Sequence, residues 1–177
     1  MCIATIIRTA NARDADNLAV LALQVWLDTY AIDGVRSQIS SYVLSEFTPR
    51  KFRDLLAKED TSVFVAENGP HLIGFGQLTA LRSSEYCDKP RQGEVDRLYV
   101  QKPFCRTGLG TKLMGQLERR AVELELDALW LSVWTHNSHA RAFYQKLGFA
   151  DRGSISIPIE DERHENRVFV RELSHDA

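Results

Sequence analysis

The chain has 177 residues, 44% of them apolar and 26% charged, with a formal net charge of −2. That length suits one domain around a single sizeable core, and the composition argues against disorder. The slightly acidic balance lacks the electrostatic footprint of a nucleic-acid binder, and no apolar run reaches the length of a membrane span.

In chain order, residues 3–8 read as a first strand. Met1–Arg8 lacks the basic leader and long apolar segment of a secretory signal, so the cytoplasm is the expected compartment. Cys2, Cys87 and Cys105 are too widely spaced for a disulfide framework or a paired metal knuckle. From Asn11 to Tyr30 the apolar residues Leu18, Leu21, Ala22, Val25, Trp26 and Tyr30 recur at helical spacing, with Asn11 or Asp14 as cap. Asp33-Gly34 breaks that pattern. Ile39 to Leu56 predicts one or two further helices, the break falling at Thr48-Pro49 with Thr48 as cap and Pro49 at the first helical position.

Ser62–Asn68 and Leu72–Leu81 read as a hairpin about the Asn68-Gly69-Pro70 turn. Arg82–Gln92 is polar, contains Pro90, and predicts a loop. Glu94–Val100 is the next strand, and a helix follows from Gly108 to about Glu125 with Leu109, Leu113, Leu117, Ala121 and Leu124 on one face. Leu129–Trp134 is a strand, and Ser138–Leu147 is a short helix stopped by Gly148. Phe149–Ile159 and Arg167–Leu173 close the chain as strands around a polar turn, Asp161–Glu165, in which His164 is expected to be solvated. The order β-α-α-β-β-β-α-β-α-β-β predicts a mixed α/β sheet with helices on its faces, in one domain spanning 1–177.

The stretch Glu94-Val-Asp-Arg-Leu-Tyr-Val100 feeds, through a short spacer, into Arg106-Thr-Gly-Leu-Gly-Thr-Lys-Leu113. A strand running through a glycine-bearing turn into a helix leaves unpaired amides at the positive end of the helix dipole, a fit for phosphate. The glycine spacing fails for a P-loop, and Leu113 stands where a dinucleotide fingerprint needs its third glycine. The apolar positions Val95, Leu98 and Val100 break a period of two, as a β-bulge or a splay from the neighbouring strand would. An extended ligand with an amide-bearing arm and a diphosphate, such as coenzyme A, suits both features. Taken alone, the turn suits equally well a tight connection in which glycine only permits packing.

Cys105-Arg-Thr-Gly-Leu-Gly110 resembles the Gln/Arg-x-x-Gly-x-Gly/Ala signature of the GNAT superfamily of N-acetyltransferases. Asn137-Ser-His-Ala-Arg-Ala-Phe-Tyr-Gln-Lys-Leu-Gly-Phe149 resembles its second signature at every defined position. Asp28-Thr29-Tyr30, the 94–100 strand and Leu131–Trp134 with Asn137 are similar to a bacterial branch that includes polyamine acetyltransferases. Cys105 departs from the usual Gln or Arg, and Arg106 stands where glycine is frequent. Weakened but not abolished coenzyme binding is expected from this, with Arg106 or Lys112 adding charge near the phosphates.

The resemblance implies the acyl-CoA N-acyltransferase fold with a splayed central strand. It also implies acetyl transfer from acetyl-CoA to a primary amine of a small molecule or peptide by direct attack in a ternary complex. Coenzyme contacts are implied at Leu98, Tyr99, Val100, Arg106, Thr107, Gly108, Leu109, Gly110, Thr111, Asn137 and Tyr144, with no metal. The amine, with a pKa of roughly 10, must lose a proton, the carbonyl oxygen needs stabilising, and the thiolate benefits from a donor.

Tyr144 is the implied acid, although Ala140, Phe143, Tyr144 and Leu147 also form an apolar stripe suited to a core. Glu94 is the candidate base, directly or through water, with Asp96, which alternates to the same face, as its competitor if the bulge lies beyond it. The oxyanion contact is expected from an amide near Tyr99 or Val100. Asn137 suits either a coenzyme hydrogen bond or a helix cap. Trp26, Tyr30, Tyr42, Phe47 and Trp134 suit core packing better than an acceptor pocket, with Tyr30 the least securely placed. His136 and His139 lack further ligands at metal-binding spacing.

Acidic Glu46, Glu85, Asp88, Glu94 and Asp96 fit a polyamine acceptor. Segments 33–46 and 82–92 are the expected acceptor loops, and exposed edges admit a homodimer. The alternative reading is a catalytically idle acetyl-CoA sensor of the same fold.

Overall fold

The structure, a computed structural model, describes residues 4–159 and 162–174. Its strands are β1 (Thr5–Thr9), β2 (Thr61–Asn68), β3 (His71–Ala80), β4 (Gln92–Val100), β5 (Ala128–Trp134), β6 (Ala150–Ile159) and β7 (Glu162–Glu172). Its helices are α1 (Ala15–Tyr30), α2 (Ser37–Glu46), α3 (Pro49–Leu56), α4 (Leu109–Glu123) and α5 (Ser138–Lys146). The strands form one mixed sheet in the order β1-β2-β3-β4-β5-β7-β6. Only the β4–β5 pair is described as parallel; β1–β2, β5–β7 and β6–β7 are antiparallel.

Local sequence explains the element boundaries. Asn11 accepts from the Arg13 amide and Asp14 accepts from the Asn11 amide, a capping box that opens a 3-10 turn leading into α1. Thr48 accepts from the Lys51 amide, with Pro49 beginning α3. That break yields three helices between β1 and β2, one more than the predicted order carries. Gly148, at φ 84°, ends α5 in the left-handed region where a side chain is disfavoured.

Two expectations are corrected. Segment 33–46 is helical from Ser37 onward, so only its first residues are loop. The polar stretch from Glu162 belongs to β7: Arg163, His164 and Glu165 pair with Pro158, Ile157 and Ser156, so His164 lies in a strand rather than a turn. Its imidazole stands 3.6 Å from Glu162 and edge-on to Trp134. Ile3, Cys2 and Asp161 lie outside the described residues.

The chain forms two compact units. The first takes residues up to Gln77 together with Arg97–Leu117. Its apolar centre joins Ala66 and Ile73 to Leu109 and Leu113 of α4, with Leu98, Val100 and Phe104 packed against them. A Cβ at Gly76 would stand 2.9 Å from Leu117, so glycine there makes room for α4. Trp26, Tyr42 and Phe47 gather in the same unit with Tyr30 stacked on Trp26 at 4.7 Å; Trp26 and Phe47 are buried in the core, and Tyr30 and Tyr42 are half-buried at its edge. Burial pushes the Tyr30 phenol up to about 12.

The second unit takes Leu78–Asp96 and the chain from Glu118. Ala128, Trp130, Val168 and Val170 pack together with Tyr86, Cys87 and Ile155 against them. Among the described residues no helix is long and apolar enough to cross a membrane.

Candidate active site

Strand β4 carries the irregularity expected of it. Asp96 accepts from Thr79 at 2.6 Å and Arg97 donates to Gln77 at 2.6 Å. Thr79 and Gln77 lie two apart on β3 and face the same way, so adjacent residues of β4 share a side, the signature of a bulge. Leu98 and Val100 then turn to Leu109 and Leu113, while Tyr99 meets Phe75 edge-on at 5.4 Å. The 95-to-98 step therefore keeps Val95 and Leu98 on one side across the bulge. The β4–β5 register covers Gln92–Glu94 against Ala128–Trp130, which is the splay expected of the central strand.

After β4 a 3-10 turn, Lys102–Phe104, leads into the exposed segment 105–108 and then α4. Arg106 and Gly108 both hold positive φ, 62° and 83°. The left-handed state costs a side-chain-bearing residue roughly 1–2 kcal/mol, which is the physical reason glycine suits the position Arg106 occupies. The first helical bond runs from the Lys112 amide to the Gly108 carbonyl. The amides of Leu109, Gly110 and Thr111 thus precede any intrahelical acceptor. Thr107 donates its hydroxyl to the Phe104 carbonyl, and the exposed Cys105 thiol lies 3.7 Å from the Val100 and Gln101 carbonyls. Leu98, Val100 and Leu109 are brought together in one cluster, so strand end and helix start form one built corner.

In the second unit Glu94 and Asp96 do share a face, as expected. Arg82 Nη1 bridges them at 2.9 and 3.1 Å, and both carboxylates are largely buried, at 17% and 15% exposure. Asp96 has both oxygens engaged, one by Thr79 and one by Arg82. Tyr144 is 8% exposed and packs against Phe143, Phe149 and Phe169. Glu94 pairs with Trp130 of β5, and Phe169 pairs with the next β5 residue, Leu131. Asn137 caps α5, its carbonyl accepting from the Ala140 amide at 3.1 Å. That fulfils the capping alternative and leaves its amide nitrogen for other partners.

The loop expected over 82–92 is built and not free. Buried Gln92 accepts from the Ser84 amide and donates to the Cys87 and Lys89 carbonyls. Tyr86 donates to the Ser154 carbonyl, and Arg91 holds the carbonyls of Leu124 and Glu125. A Cβ at Gly153 would collide with the Tyr86 ring, and the β6–β7 register shifts there.

Sequence reasoning missed Arg82 and Arg97. Arg97 binds Gln77 and Glu46 and lies 5.9 Å from the rings of Phe47 and Phe52. It lines a cavity of about 270 Å³ with Glu46, Lys51, Phe52, Asp54 and Lys58. Glu46, Glu94 and Asp96 all carry internal cationic partners, which weakens the simple picture of carboxylates awaiting a polyamine. Among the described residues no group of three or more His, Cys, Asp or Glu side chains is placed to hold a metal.

Residues 24–149 match the Acetyltransferase (GNAT) family. The chain belongs to that family. It is therefore an acetyl-CoA-dependent N-acetyltransferase. An uncharacterized N-acetyltransferase from the pepI 3' region of Lactobacillus delbrueckii is 21% identical over 92% of this chain and 94% of its own. The spermine/spermidine N(1)-acetyltransferase of Bacillus subtilis is 30% identical over 58% of this chain; the match spans 64% of that enzyme. Among solved structures, PaiA N-acetyltransferase from Thermoplasma acidophilum in complex with coenzyme A has a TM-score of 0.78 at 21% identity. That likeness covers 96% of this chain and 99% of the other. In this acetyltransferase the first signature, 105–110, forms the turn that opens into α4, and the second, 137–149, spans the capped helix α5 and the turn that ends it.

Proposed function

We propose that this acetyltransferase, as one catalytic domain spanning 1–177, acetylates a primary amine by direct attack on acetyl-CoA in a ternary complex. The observation that carries the reading is the corner at 105–111, exposed over 105–108, held left-handed at Arg106 and Gly108 and opening into α4. Main-chain amides of Arg106–Thr111 bind the diphosphate of the coenzyme, with the helix dipole favouring its charge. Leu98, Tyr99 and Val100, beyond the bulge, hold the pantetheine arm, and an amide near Tyr99 or Val100 stabilises the oxyanion. The Asn137 amide group contributes a further coenzyme hydrogen bond.

Glu94 takes one proton from the acceptor ammonium, directly or through one water, and the free amine then attacks; the second proton shed by the nitrogen after C–N bond formation returns through solvent to the Tyr144 oxygen. Glu94 is preferred to Asp96 because it lies ahead of the bulge in β4, beside the expected thioester position. As the C–N bond forms and the C–S bond breaks, the Tyr144 hydroxyl protonates the departing thiolate, giving free coenzyme A and an N-acetyl product. The partial likeness to the Bacillus spermine/spermidine enzyme supports a polyamine-like acceptor over a peptide amine; a cytoplasmic setting is part of the same proposal.

The test is acetyl-CoA turnover against a panel of polyamines, monoamines and peptide amines, detecting free thiol. Release that is fastest with a linear polyamine supports the reading. Coenzyme binding without thiol release above hydrolysis for any amine would favour an idle coenzyme binder instead.

A further inference from the structure

Arg82 lies outside both family signatures, yet its place in the second unit is fixed from several directions. Leu81, at φ 55°, turns the chain sharply at the end of β3. The Trp130 indole then donates to the Arg82 carbonyl at 2.8 Å. Gln92 and Tyr86 pin the loop that follows. The main chain thus delivers a half-exposed guanidinium onto two carboxylates that are mostly sheltered from water.

Two like charges two residues apart on one strand face repel, and more strongly where water is scarce. One nitrogen, Nη1, spans both carboxylates. Asp96 is held by Thr79 as well, and Glu94 is the carboxylate to which the proposed function gives the proton transfer. We infer that Arg82 is a positioning residue for acetyl transfer: it sets the orientation of the Glu94 carboxylate and offsets the charge of Asp96 beside it. The inference rests on Glu94 being the base, and it assigns a task to a residue outside both family signatures.

The test is a double-mutant cycle on the folded enzyme, using the best amine from the acceptor panel, with thermal unfolding as a check on each variant. Arg82→Gln is expected to lower kcat about tenfold while the KM for acetyl-CoA stays within twofold of wild type. Arg82→Lys, which keeps one cationic nitrogen, is expected to retain at least a third of wild-type kcat. In a Glu94→Gln background, adding Arg82→Gln is expected to cost less than a further twofold, because the group it acts through is already gone.

Arg82→Gln at wild-type kcat beside an impaired Glu94→Gln overturns this inference and leaves the base assignment standing. A full tenfold loss from Arg82→Gln in the Glu94→Gln background, or no rescue by Lys, overturns it too. Glu94→Gln at wild-type turnover takes down the base assignment itself, and this inference with it.

Discussion

The corner at 105–111 and the helical layer α1–α3 do their work by opposite means. At the corner the side chains of Cys105, Arg106 and Thr107 are exposed, and what is organised is main chain: two left-handed residues, then a helix start whose first amides precede any intrahelical acceptor. In the helical layer the organisation is carried by side chains, with Arg97 linking Gln77, Glu46 and two phenylalanine rings and Trp26 at the middle of an aromatic group. The difference teaches how each region tolerates change. A diphosphate site made of backbone, as we propose for the corner, would tolerate a departure such as Cys105; a layer made of side-chain networks fails one residue at a time.

Breaking that contrast begins with the reacting groups, where the side chain should be indispensable. Tyr144→Phe keeps the ring packing on Phe149 and Phe169 and removes only the hydroxyl. We expect kcat to fall about 10³-fold with acetyl-CoA affinity within threefold, as loss of a general acid does. Unchanged turnover in a folded variant would return Tyr144 to the core alone.

In the helical layer, Arg97→Leu strips Gln77, itself 2% exposed, of its partner and leaves Glu46 to Lys51. The loss should be about 3 kcal/mol in urea unfolding, because a buried acceptor is left unsatisfied. A change below 1 kcal/mol would mean the network is not coupled.

The start of α1 supplies a pH-dependent case. Hydrogen bonds from Arg8, helped by the Asn11 amide, hold the Asp14 carboxyl below its usual range. Because the folded-state value is depressed, this stabilisation is present above about pH 4 and is lost as pH falls through the folded value. Asp14→Asn should therefore cost about 2 kcal/mol at pH 7, with the difference from wild type shrinking toward pH 2. Equal losses at both pH values would show that charge is not involved.

The corner itself should respond to backbone and not to side-chain changes. A Cβ at Gly108 would meet nothing within 4 Å, so Gly108→Val acts only through its φ of 83°. We expect acetyl-CoA to bind about tenfold more weakly to it, a conformational cost near 1.4 kcal/mol. Cys105→Ala should change affinity less than twofold.

Much of the frame was legible because its signals are local. Thr48-Pro49, the Asn11 cap and Gly148 act within a turn of the helices they begin or end, and both signatures sit on contiguous residues. The apolar step across Val95 and Leu98 reported a bulge because side-chain alternation leaves few other ways to bury both. What stayed hidden joins distant positions: Arg97 reaches Glu46 across 51 residues, and Arg82 reaches back over the loop to β4. The start of β7 was obscured for another reason. Arg163, His164 and Glu165 look like a turn by composition, but their strand geometry comes from pairing with β6, which polarity does not report.

The account stands on the diphosphate being held by main-chain amides at the corner. Calorimetry of the folded protein with acetyl-CoA and with acetyl-pantetheine, which keeps the thioester arm but lacks the diphosphate, tests this most directly. We predict acetyl-CoA binding in the micromolar range and affinity about 100-fold lower for the truncated ligand, a difference near 2.7 kcal/mol. Equal affinities for the two, or no uptake of acetyl-CoA at millimolar concentration, would contradict it.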